Sequence, residues 1–157
     1  MSTKTLPILL LIIFLNCESS TKNPIPPKIF NLTLKEQIED PDATQQINKL
    51  HFQNVAAEKN EIAVYEGPNS VATIYVSYYR DNKTSQSEYE KMTQKISPEN
   101  SVFIGGTYLE MNKVEIYKCF GMGQTHFVFA KDQLLFWVSV TTVISNDFIA
   151  AYLDILN

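Results

Sequence analysis

The chain has few of the residues that catalysis recruits. Its 157 residues hold two histidines, His51 and His126, and two cysteines, Cys17 and Cys119. No Cys or carboxylate recurs beside either histidine at ligand spacing, whereas a structural or catalytic zinc needs three or four converging donors. No metal or other cofactor is expected. A nucleophile elbow of the form Gly-x-Ser-x-Gly is missing, as is a Ser-x-x-Lys with its supporting motifs, so nucleophilic catalysis has no signature. Glycine is scarce at five. Gly105-Gly106 and Gly121-Met122-Gly123 fall between expected strands, not before a helix, which fits turns and not a phosphate loop. Arg80 is the single arginine, and 13 cations face 17 acids for a net charge of -4. A mildly acidic chain has no general attraction for nucleic acid or anionic lipid headgroups, so nucleic acid is not an expected partner. Glu36, Glu39, Asp40, Asp42, Glu88 and Glu90 read as solvated charge. Nor is there an apolar run of the ~20 residues a bilayer-spanning helix needs.

What is present begins at the amino terminus. Residues 1–5 are polar with one cation, Lys4, and residues 6–15 form an unbroken apolar run from Leu6 to Leu15. Half the length of a membrane span, this run suits the hydrophobic core of an export signal. Asn16 and Cys17 follow directly. A cysteine there resembles the lipobox of bacterial lipoproteins. Phe14, Leu15 and Asn16 depart from its strict pattern of Leu, a small residue, then Gly, Ala or Ser. The departure is similar to relaxed forms in spirochaetes and other didermic bacteria. The resemblance implies a signal peptide over 1–16, a diacylglyceryl lipid on Cys17, and localisation at a membrane of the cell envelope. Each buried methylene contributes about 0.8 kcal/mol, so two or three acyl chains hold firmly where one does not. Removing residues 1–16 takes away Lys4 and leaves 12 cations against 17 acids, a net charge of -5. Cys119, inside an apolar stretch, is then a lone thiol and reads as buried and inert.

Residues 17–35, with Pro24, Pro26 and Pro27 among polar neighbours, read as a lipidated cysteine followed by a spacer. Residues 36–157 read as one α+β domain; a hydrophobic share of 45% suffices for a core. A helix is expected over 42–50, capped by Asp40 or Asp42, with Ala43, Ile47 and Leu50 inward. A hairpin of 62–65 and 71–79 turns at Gly67-Pro68-Asn69-Ser70. Ser85 and Glu88 fit a capping box, with Tyr89, Met92 and Ile96 on one helix face. Strands near 101–104, 107–111, 113–120, 124–131 and 133–142 follow, separated by tight turns, as an antiparallel meander. The last is apolar on both faces and suits a central, doubly covered position. A closing helix from Ser145 or Asn146 carries Phe148, Ile149, Tyr152, Leu153 and Leu156 on one stripe. This order, an antiparallel sheet with two or three packed helices, loosely resembles the fold of the photosystem-II extrinsic P protein. That resemblance implies a fold and no function.

For function, alternation places Tyr75 and Tyr79 on one strand face with Thr73 and Ser77. Exposed, such a strip would bind a peptide, glycan or protein surface. The expectation is a non-enzymatic binding or assembly domain whose partners are the membrane, through its lipid, and an envelope protein or glycan. The alternatives are a small envelope hydrolase or transferase, or a surface-exposed structural or adhesive protein.

Overall fold

The structure, a computed structural model, describes residues 22–51 and 57–157. Cys17 and the signal-like run lie outside the described residues, as does the side chain of His51. In chain order the elements are β1 (Lys28–Ile29), β2 (Leu32–Glu39), α1 (Asp42–His51), β3 (Lys59–Gly67), β4 (Ser70–Tyr78) and α2 (Asn82–Lys95). Then come β5 (Ile104–Met111), β6 (Val114–Gly121), β7 (Gln124–Lys131), β8 (Leu134–Thr141) and α3 (Ser145–Leu156). The strands form a single sheet in the order β1-β2-β3-β4-β8-β7-β6-β5, antiparallel at every step. This is the expected α+β class. Among the described residues no helix is long and apolar enough to cross a membrane.

Alternation assigns the two faces. Ala63 and Tyr65, Ile74 and Val76, Phe127 and Phe129, and Phe136 and Val138 share one face, which packs on Phe148, Ile149, Tyr152 and Leu153 of α3. Full burial contributes ~1.5–3 kcal/mol for each large apolar side chain, so this is the principal core. The opposite face carries α1 over Ile62 and Tyr75, and α2 over Val128, Leu135 and Tyr117. β8 sits fifth of the eight strands and is covered on both sides, as its unbroken apolar sequence requires.

Five details depart from the sequence reading. Residues 24–35, expected within the spacer, belong to the fold. Ile25, Ile29 and Leu32 are buried in the α3-side core, and the Pro24 and Pro26 carbonyls accept from Tyr152 Oη at 2.6 Å and Tyr65 Oη at 2.9 Å. β2 is absent from the sequence reading because Glu36, at the bulge, interrupts the alternation of Leu32, Leu34 and Ile38 and most of its side chains are exposed. Asp81, not Ser85, caps α2, accepting the Thr84 N–H at 2.8 Å. Ser85 is buried and donates to the Asp132 carbonyl at 2.6 Å, tying the helix to the β7–β8 turn. Gly105-Gly106 makes no turn: β5 is one strand, bulged between Ile104 and Thr107 with Gly105 at φ 66°. Leu50, expected inward, is 61% exposed. Asp40 does cap α1 as expected, accepting the Thr44 N–H at 3.0 Å.

Candidate functional site

The expected tyrosine strip is not a surface. Tyr79 is 3% exposed among the residues beneath α2, and Tyr75 is half-buried against the α1 cluster. Burial raises both phenols, that of Tyr79 to about 12. Helices cover this face because Ala43, Ile47, Tyr89 and Ile96 need a partner, and the strip supplies it.

Coverage thins toward the β5 edge. α2 lies over β7 and β8 and reaches Tyr117 of β6, and between the helix and the β5–β6 pair a groove of about 920 Å³ opens. Its floor is aromatic. Tyr117 crosses beneath Tyr108, ring centroids 5.0 Å apart and edge to face, and Tyr108 is 57% exposed. Gly106 permits this arrangement, because a Cβ there would collide with the Tyr117 hydroxyl. Two side-chain links lace the helix to the strands. Tyr108 Oη donates to Thr93 Oγ1 at 3.2 Å, and Tyr89 Oη to Glu115 Oε1 at 3.3 Å. Desolvation, reinforced by Glu115, raises the Tyr89 phenol, and desolvation also raises that of Tyr117. Both stay protonated, and Tyr89 donates. Glu90, Glu99, Gln86 and Gln94 complete the polar walls. Sequence reasoning missed this site because it needs the spacing between α2 and β5. Its one local signal is Tyr108 beside the glycine pair.

A buried polar cluster lies farther along the same face. His126 Nε2 faces the Gly121 carbonyl at 3.0 Å, which places the ring proton there. Nδ1 then accepts from Trp137 Nε1 at 3.0 Å and from Ser139 Oγ at 2.9 Å. Phe103 covers the imidazole, edge to face at 4.9 Å. Desolvation holds the imidazole below its ordinary pKa, the Gly121 contact partly opposing it. Cys119 sits opposite His126 in the ladder, fully buried, its thiol pushed up to about 11 by desolvation. A histidine of this kind is a satisfied core residue, and a thiol so raised is a poor nucleophile. Among the described residues no three or more His, Cys, Asp and Glu side chains are placed to hold a metal ion.

No protein-family model matches the chain, and no curated protein matches it. Among solved structures, the crystal structure of a GTP binding regulator from Thermotoga maritima is similar, with a TM-score of 0.52 and 13% identity. The match covers 80% of this chain and 78% of that one. At such identity the likeness is one of fold alone: the two chains share an architecture.

Proposed function

We propose that this chain is a lipid-anchored, non-enzymatic binding domain of a bacterial cell envelope, which takes its ligand in the groove between α2 and the β5–β6 pair. The observation that carries the binding reading is the groove itself, a stretch of this sheet face that α2 leaves open toward the β5 edge. It offers an exposed tyrosine ring, hydroxyls, amides and carboxylates converging on one concave surface. Support for a non-enzymatic role is that His126 and Cys119 are both buried outside the groove. The anchor rests on the ten-residue apolar run that ends beside Cys17. From Cys17 to Lys22 the chain spans at most ~18 Å, about 3.6 Å per residue, so the domain would ride close to its membrane.

Two measurements test the two halves. Mass spectrometry of the mature amino terminus should give an acylated peptide beginning at Cys17; an unmodified peptide beginning elsewhere removes the anchor. Capture of envelope material on the protein should weaken with Tyr108→Ala. An unchanged capture profile, with the fold intact by circular dichroism, removes the groove.

A further inference from the structure

The two edges of the sheet are built differently. At the β2 edge, prolines precede β1, a bulge separates Leu34 from Glu36, and Lys35, Glu36 and Glu39 are exposed. Bulges, prolines and charges are the usual devices that stop an edge from pairing with another chain. At the other edge, β5 has its bulge at the start only. The regular stretch from Thr107 to Met111 carries one charge, Glu110, and no proline.

The register gives the direction of its backbone groups. Asn112 and Lys113 both have positive φ, 51° and 65°, as a two-residue type I′ turn requires. Such a turn makes Met111 and Val114 a hydrogen-bonded pair, and the alternation continues to Leu109 and Thr107. Tyr108 and Glu110 therefore point their N–H and C=O groups away from β6. Among the described residues no backbone group bonds to them. The same two residues send their side chains to the groove side.

Charge decides what fits. Glu110 stands opposite Glu115 in the ladder, and Glu90 and Glu99 line the groove beside them. The nearest lysine of the groove wall, Lys91, is occupied by Glu88 at 2.6 Å. On the α3 side, Leu109 and Met111 are half-buried and apolar. We propose that β5 receives an extended peptide as a ninth strand, with Lys or Arg at alternate positions over the groove and aliphatic residues between them over Leu109 and Met111. This names a ligand class for the groove and so rests on the reading of that groove as the binding site.

The test uses the full chain and three kinds of blocked hexapeptide. One alternates lysine and valine, one replaces each lysine with glutamate, and a pair carries N-methyl groups on either all lysines or all valines of the first. Binding is followed by amide NMR and hydrogen exchange. The lysine peptide should bind and slow exchange at the Tyr108 and Glu110 amides, and the glutamate peptide should bind about tenfold more weakly. One of the two N-methylated forms should fail, because each blocks one peptide edge. Glu110→Lys, an exposed change, should narrow or reverse the preference. Equal affinity for the two charge types, unchanged exchange at those amides, or binding of both N-methylated forms would each overturn the proposal. So would sedimentation showing that a second copy occupies β5. If the lysine peptide fails while Tyr108→Ala still weakens envelope capture, the ligand class falls and the groove stands. If capture ignores Tyr108, the groove falls with it.

Discussion

Trp137 donates its indole N–H to Nδ1 of His126 at 3.0 Å, a bond that exists only while the imidazole is neutral. Burial depresses the folded-state pKa below 6.5, so below that value the unfolded chain binds the proton first. The stability contributed by the neutral ring is complete above pH 6.5 and is lost as pH falls through the depressed folded value. The urea midpoint should therefore drop between pH 7.5 and 5.5. His126→Gln, which keeps a donor and an acceptor, should flatten that drop. An equal drop in the variant would assign the acid sensitivity elsewhere.

Gly121 and Phe103 make a second coupled pair. A Cβ at Gly121 would collide with the Cδ1–Cε1 edge of the Phe103 ring, which in turn covers His126. Gly121→Ala should cost about 1–3 kcal/mol by displacing that ring. In a Phe103→Leu background the same change should cost less, and the difference is the coupling between the two positions. Chemical denaturation of the four proteins in the cycle measures it, and strict additivity would contradict the contact.

The fully buried hydroxyl of Tyr152 holds the Pro24 carbonyl at 2.6 Å. Tyr152→Phe keeps the ring and leaves that carbonyl without its partner. The expected loss is about 1–3 kcal/mol, and proteolysis should cut sooner between Lys22 and Lys28. Unchanged cleavage would mean that buried Ile25 and Ile29 and the Tyr65–Pro26 hydrogen bond hold the segment without it.

Cys119 should be silent toward a disulfide reagent at pH 8 in the folded chain, since burial holds its thiol near 11. After unfolding, one thiol per chain should react if Cys17 carries a thioether-linked lipid. Two reactive thiols would argue against acylation.

The parts of the fold that were legible in the sequence are those where burial imposes a period. The α3 stripe of Phe148, Ile149, Tyr152, Leu153 and Leu156 is one such part, and the doubly apolar β8 is another. The amino-terminal segment is illegible because its buried residues, Ile25, Ile29 and Leu32, fall at helical spacing in a stretch where Pro24, Pro26 and Pro27 disfavour a helix, so the period points to no element. The sequence sets the α2 start one turn late, since Asp81 and Ser85 are both acceptable caps and only the tertiary bond from Ser85 to Asp132 separates them. Alternation puts Tyr75 and Tyr79 on one face, where the structure also has them, but alternation does not say what covers a face. The groove tyrosines Tyr89, Tyr108 and Tyr117 come from three elements and meet only in three dimensions.

Residues 24–29 and α3 close on each other across 128 positions of sequence, and both lie on the core face that holds Phe127, Phe129 and Phe136. A growing chain therefore cannot seal that face until α3 has left the ribosome. Until then the nascent protein keeps this apolar face open to water and to any chaperone that reads it.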